Sequence, residues 1–237
     1  KEEPNHKMNL HCILLSGGTG ERMAAGKPKQ FIELLGIPVL RWSALTLSNF
    51  SKRRLTVVAP ANLLAETRSI LEGIDSVVVP GGSTRHDSTL CGIRSIAKEI
   101  HLQSDIILIH DAARPVIRHA ELSRLCDLFK DETILCSSLV GPIVETIVQS
   151  RDGKTSDGIA DRDQLRAVKT PQALRANALR ALLEVEGNFT DLLSWAHATG
   201  LKAGLALAEE TNVKLTSQGD LDLMLSLLNR LKIDGPS

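Results

Sequence analysis

Two lysines and an arginine set beside glycine-rich turns are the residues of this chain best suited to chemistry. Ser16-Gly17-Gly18-Thr19-Gly20-Glu21-Arg22-Met23, followed by Lys27-Pro28-Lys29-Gln30, sets glycines next to cations. Glycines let backbone N–H groups approach an anion closely, and cations offset phosphate charge, so a nucleotide triphosphate suits this loop. Two familiar phosphate motifs fail here. Five residues separate Gly20 from Gly26 and Pro28 follows Lys27, so there is no Walker loop. Met23 stands where the dinucleotide fingerprint needs its third glycine, which argues against a nicotinamide-dependent oxidoreductase. A tight strand-to-helix turn would use the same glycines, so the loop alone leaves both readings open.

Three further segments carry candidate groups. His110-Asp111-Ala112-Ala113-Arg114-Pro115 closes an apolar run. A carboxylate at a strand's carboxyl end can hold Mg²⁺, ribose or substrate hydroxyls, and Arg114 can receive an anion. Asp111 could equally cap a turn, while His110, one residue out of phase on the strand, should face elsewhere and serve structure. Gly81-Gly82-Ser83-Thr84-Arg85-His86-Asp87-Ser88 is a second glycine loop after a strand, with Thr84 and Asp87 spaced as a capping box. It either encloses a nucleotide with the first loop or merely starts a helix. Asn212-Val213-Lys214-Leu215-Thr216 places Lys214 on a short strand, as a site cation or a solvated lysine. No Ser/His/Asp triad or zinc-spaced His/Cys cluster emerges. A phosphate monoester is already ionised near neutral pH and needs no general base. A protein joining two phosphates must instead overcome their repulsion and stabilise charge at the attacked phosphorus, work for Arg, Lys, N–H groups and Mg²⁺.

The elements that must position these groups follow from periodicity. The chain has 237 residues, 43% hydrophobic and 24% charged, which fits one large domain or a domain with an appendage. Strand-like runs at Leu10–Leu15, Leu55–Ala59, Ser76–Val79, Asp105–His110, Thr133–Leu139 and Ile143–Gln149 alternate with helical patterns at Ala61–Glu72, Asp87–Ile100 and Ala120–Phe129. That rhythm predicts an α/β fold, a mainly parallel sheet flanked by helices, with ligands at the carboxyl ends of the strands. After Gly141-Pro142 the rhythm changes, and Asp152-Gly153 is a hairpin signal, so 142–169 is expected to be a protruding β-arm. Helices are expected at Gln172–Glu186 and at Asp220–Leu231, the latter behind a Ser217/Asp220 capping box and a last strand, Thr211–Thr216.

Lys plus Arg and Asp plus Glu both total 28, so net charge gives no ground for nucleic-acid binding and any anion specificity must be local. No run approaches the ~20 apolar residues of a membrane span. Residues 1–7 lack the apolar core of a secretory signal. Cys12, Cys91, Cys126 and Cys136, separated by 79, 35 and 10 positions, are expected to be reduced thiols.

Taken together, GGTGERM at 17–23, PKQF at 28–31, GGSTRHDS at 81–88, HDAARP at 110–115, ETI at 145–147, DR at 161–162, TPQ at 170–172, TD at 190–191 and NVKLT at 212–216 resemble the 2-C-methyl-D-erythritol 4-phosphate cytidylyltransferase family of the non-mevalonate isoprenoid pathway. The resemblance runs from about Leu10 to Leu231. It implies a nucleotidyltransferase Rossmann-like fold, one domain over 8–237, and CMP transfer from CTP to a sugar-alcohol phosphate with pyrophosphate release. By motif, Arg22, Lys29 and Lys214 would be catalytic. Ser16, Gly17, Gly18, Gly82 and Ser88 would line the cytidine pocket with support from Arg85, and Asp111 and Arg114 would lie at the ribose and acceptor side. Thr146, together with Arg162 and Thr170 of the arm, would bind the acceptor, the last two from a second subunit, and Thr190 is a further acceptor-side threonine. Mg²⁺, carried mainly by CTP phosphates, and a homodimer through the arm are implied, in a bacterial cytoplasm or a plant plastid stroma. Departures are Ser16 for a small apolar residue, Glu145 for Asp, and Thr190-Asp191-Leu192-Leu193-Ser194 without a second acid. Ribitol-5-phosphate cytidylyltransferase shares the loop and lysine motifs but usually has Val in place of Ala113. A non-catalytic nucleotide-binding protein on the same scaffold is the other alternative.

Overall fold

The computed structural model describes residues 9–17 and 28–236. Strand β1 (Leu10–Leu15) leads through two short strands, β2 (Glu33–Leu34) and β3 (Ile37–Pro38), into helix α1 (Val39–Ser51). There follow β4 (Leu55–Ala59), α2 (Leu64–Ile70), β5 (Ser76–Pro80), α3 (Arg85–Ile96), β6 (Ile106–Asp111), α4 (His119–Asp127) and β7 (Cys136–Pro142). The small pair β8 (Ile147–Gln149) and β9 (Gly158–Ala160) precedes the long β10 (Arg166–Arg175). Helices α5 (Leu179–Leu183) and α6 (Leu192–Ala198), strand β11 (Ala203–Leu207) and helix α7 (Gln218–Leu231) complete the chain.

Seven strands form one sheet in the order β11-β7-β10-β6-β1-β4-β5. All neighbours are parallel except β10, antiparallel to both β6 and β7. Side chains alternate across this sheet, so each strand feeds two cores. Cys12 and Leu14 of β1 and Leu108 of β6 pack with α1 and α4, while Ile13, Leu15, Ile107 and Ile109 pack with α3, α5 and α6. Each fully buried Leu or Ile contributes about 1.5–3 kcal/mol. A third cluster seats α7 through Met224 and Leu228 against Val39 and Trp42. With β4 on one side of β1 and β6 on the other, the strand order reverses about β1, and in such sheets a crevice lies at the carboxyl end of that switch point.

The strand-helix alternation stands, with shifted boundaries: β7 begins at Cys136 rather than Thr133, and only Ile147–Gln149 of 143–149 is strand. Two expectations fail. Gln172–Arg175 is not helical but continues β10 between β6 and β7, where ladder hydrogen bonds override the helical pattern, and helical turns begin only at Ala176. Thr211–Thr216 is a loop rather than a strand, turning at its start with the Val213 N–H on the Thr211 carbonyl at 2.8 Å and tied by the Leu215 N–H to the Ala113 carbonyl at 2.7 Å, where the chain has already left the sheet. The hairpin at 147–160 is present, with Gly153 at φ +68° in its turn, while 166–169 extends the central sheet.

The β10–β7 ladder slips between Val168 and Gln172: Val168 faces Val140, yet Gln172 faces Ser138. Four steps on one strand therefore match two on the other. Such a bulge turns side chains out of the ladder, and here Lys169 and Thr170, which lie in it, border the crevice.

Candidate functional site

Three strand exits build the crevice. Ser16 and Gly17 leave β1, with the Ser16 N–H held by the Val58 carbonyl at 2.8 Å. After β5, Gly82 enters α3, where a Cβ would lie 2.2 Å from that of Asp87, so no other residue fits without moving the helix start. Thr84 and Asp87 close the capping box, which fixes Arg85 as the first helical residue. After β6, Asp111 to Ala113 form the floor. Ser16, Gly17, Lys29, Gly82, Arg85, Ser88, Asp111 and Lys214 line a cavity of about 220 Å³ with Gln30 and Ala113. A smaller one, about 140 Å³, is lined by Arg85, Asp111, Arg114, Thr170, Thr190 and Lys214, with Lys169, Gln172 and Asp191. Arg85, Asp111 and Lys214 belong to both.

At that seam the Arg85 Nε and Nη2 donate to Asp111 Oδ1 at 3.0 and 2.8 Å, and Lys214 Nζ to Oδ2 at 3.0 Å. Burial raises the Asp111 carboxyl, but the charges of Arg85 and Lys214 outweigh it and hold it below the usual carboxylate range. Asp111 thus stays ionised and keeps two cations aimed at the cleft. Arg85 also donates to the Thr190 carbonyl at 3.2 Å, coupling α3 to the loop before α6.

His110 faces the other way and is fully buried, as its phase on the strand requires. Its Nε2 lies 2.9 Å from the Arg114 carbonyl, which can only accept, so the proton sits on Nε2 and Nδ1 accepts from the Thr170 hydroxyl at 3.1 Å. Burial pushes the imidazole down to about 4, leaving it neutral. The Thr170 hydroxyl in turn accepts from the Asp111 N–H. Thr170 therefore lies on the central sheet of its own chain rather than on the arm, and its hydroxyl proton is committed to His110.

Thr146 and Arg162 do not join the cleft. Both are exposed on the arm, and the Arg162 guanidinium donates to the Val144 carbonyl beside a separate hollow lined by Ile143, Arg166 and Leu207. Gly18 and Arg22 lie outside the described residues. Among the described residues no group of three or more His, Cys, Asp or Glu could hold a metal, and the four cysteines are unpaired.

Sequence reasoning missed Gln30, Lys169, Asn212 and Glu121. Gln30 is 2% exposed and neither amide atom has a partner among the described residues. The Asn212 carbonyl accepts from Arg114 Nη1 at 3.2 Å and Lys169 Nζ at 2.8 Å, while its amide donates to buried Glu121. Gln30 and Asn212 lie within PKQF and NVKLT, which was the available signal for them; Lys169 only precedes TPQ, and Glu121 has no signal beyond a carboxylate in the first turn of α4.

The family model described as 2-C-methyl-D-erythritol 4-phosphate cytidylyltransferase (IspD) matches residues 10–230. Curated proteins of that name are similar: one from Leptospira interrogans is 37% identical, with 90% of each chain covered, and one from Aromatoleum aromaticum 33% identical, covering 93% of this chain and 94% of the other. The crystal structure of 4-diphosphocytidyl-2C-methyl-D-erythritol synthase from Anaerococcus prevotii superposes with a TM-score of 0.77 at 23% identity, over 94% of this chain and 99% of that one. That likeness speaks for the fold.

Proposed function

The chain belongs to the 2-C-methyl-D-erythritol 4-phosphate cytidylyltransferase family, and from that premise we propose how its cleft moves CMP from CTP to methylerythritol phosphate. It is a nucleotidyltransferase enzyme of isoprenoid precursor synthesis. CTP occupies the larger cavity, its base and ribose against Ser16, Gly17, Gly82 and Ser88. The acceptor occupies the smaller one beside Arg114, Thr170 and Thr190. One ionised acceptor oxygen attacks the α-phosphorus in line, the bond from that phosphorus to the bridging oxygen breaks, and pyrophosphate leaves with the electron pair. No proton need be removed, since the attacking monoester is already anionic.

One observation carries this reading: Lys214 and Arg85 are held by Asp111 at the seam of the two cavities. Cations fixed where two phosphates must meet lower their mutual repulsion before reaction and the charge at phosphorus during it. Lys29 flanks the larger cavity on the triphosphate side, and the family motif gives Arg22 the same task. Mg²⁺ would be held mainly by CTP oxygens, with Asp111, the carboxylate that lines both cavities, beside it, and would supply neutralisation of triphosphate charge.

The exposed Val144, Val148 and Ile159 of the arm support a homodimer, because an isolated two-stranded hairpin is marginal unless packed. In that dimer Thr146 and Arg162 reach the acceptor of the neighbouring subunit. Bacterial relatives and unpaired cysteines favour a cytoplasmic setting. Pyrophosphate release from CTP plus Mg²⁺ is the test, with methylerythritol phosphate, ribitol phosphate or no acceptor, and with ATP as competing donor. Release that depends on methylerythritol phosphate and CTP is expected. Preference for ribitol phosphate would reassign the acceptor, and no release with either would leave only a binding protein. A monomer by light scattering would remove the arm's proposed role.

A further inference from the structure

We propose that Lys169 is a binding residue for the phosphate of the acceptor, acting with Arg114 in the smaller cavity. The inference rests on the transfer reading above and deepens it. Four cations, Arg85, Arg114, Lys169 and Lys214, face this cavity against Asp111 and Asp191. The two carboxylates are already engaged. Asp111 holds Arg85 and Lys214, and Asp191 Oδ1 accepts from the Ser194 N–H at 2.9 Å and from Gln172.

Arg114 and Lys169 are left sharing one neutral oxygen, the Asn212 carbonyl. Arg114 adds a bond to Asn212 Oδ1 at 3.3 Å, and its buried Nε has no partner among the described residues. Of the negative groups near Arg114, Asp111 is taken up by Arg85 and Lys214, and Glu121 is reached through the Asn212 amide and also accepts from the Glu209 N–H and Arg118 N–H. Burial and the charge of Arg114 both lower Lys169. Two partly desolvated cations on a single carbonyl repel each other, and a dianion between them relieves that repulsion with charge-assisted hydrogen bonds. Polyol hydroxyls would not require the second cation.

Position agrees with charge. Lys169 stands in the β10 bulge, which aims it at the cavity instead of along the ladder. Its stem crosses Gly141, where a Cβ would meet Lys169 Cε at 2.8 Å. A phosphate seated there adjoins Lys214 at the seam, as an attacking group must.

The test compares steady-state pyrophosphate release and calorimetric binding of methylerythritol phosphate, the latter with a non-hydrolysable CTP analogue present. Lys169→Met should raise the KM for methylerythritol phosphate about 10- to 100-fold while the KM for CTP moves less than about twofold, and Lys169→Arg should recover most of the loss. Gly141→Ala, which displaces the stem, should raise the same KM severalfold, but not further in the Lys169→Met background. An acceptor KM unchanged in Lys169→Met, or a CTP KM that rises by the same factor, overturns the proposal, as does a parent protein that fails to bind the acceptor. A parent that binds the acceptor and releases no pyrophosphate refutes the transfer reading; weaker binding by Lys169→Met in that case still supports this assignment.

Discussion

Strand β6 has a carboxylate at each end, and the two are held by different kinds of partner. Asp105, just before the strand, has a side chain sealed from solvent and accepts from His11 Nε2 and the His101 N–H at 2.9 Å, from Asn9 at 3.0 Å and from Ser104 at 3.1 Å. Burial raises its carboxyl, but these hydrogen bonds outweigh that and keep it below the usual range. Asp111, at the exit, is held by two long cations whose side chains are 25% and 40% exposed. Short, anchored donors make a closed knot that has no reason to open. Long, partly exposed cations reaching from α3 and from the segment before α7 make a pairing that opens onto the cleft. One strand thus carries a carboxylate sealed among buried donors at one end and, at the other, a carboxylate whose partners reach solvent.

The largest effect that would sharpen this contrast is catalytic. Lys214→Ala and Lys29→Ala should each lower kcat about 10²- to 10³-fold while melting stays within a few degrees of the parent. Near-parental rates in both would break the assignment of the exit as the working end. Next in size, Asp105→Ala should cost about 3 kcal/mol in urea unfolding, because it strands buried His11 and the His101 N–H, yet leave both KM values alone. Asp111→Asn should do the reverse, costing less than about 1.5 kcal/mol while impairing turnover, since its partners can turn to water.

A pH dependence probes the same end of the strand. His110 lies at about 4 in the fold against 6.5 for an ordinary histidine, so as pH falls the unfolded chain takes up the proton first. The stability due to neutral His110 should be complete above about pH 6.5 and be lost on acidification toward about pH 4, an effect of up to about 3 kcal/mol. Denaturant midpoints measured across that window check it, and His110→Gln should flatten the slope. The depressed carboxyls of Asp105 and Asp111 act with the same sign, at pH values below the ordinary Asp value of 3.8. Smallest of all, Thr84→Ala should cost about 1 kcal/mol by uncapping α3, with a modest loss of turnover through Arg85.

Much of this molecule was legible before any coordinates. The run Leu10–Leu15 and its glycines, the capping boxes at Thr84/Asp87 and Ser217/Asp220, the turn at Asp152-Gly153 and Asp111 at a strand exit all follow from local rules of periodicity, φ and hydrogen-bond supply. Such rules act within a few residues, so a linear pattern reveals them. Helix α1, with β-branched and aromatic residues and no acidic first turn, offered little local signal. The tertiary fold alone decided that Gln172–Arg175 is strand, since only β6 and β7 on either side supply the ladder that makes it one. It alone decided that the bulge turns Lys169 inward, that Thr170 serves His110, and that Lys214 meets Asp111 across 103 positions of sequence. Hydrogen bonds and charges are satisfied by whatever lies near in space, and spacing along the chain carries no record of that.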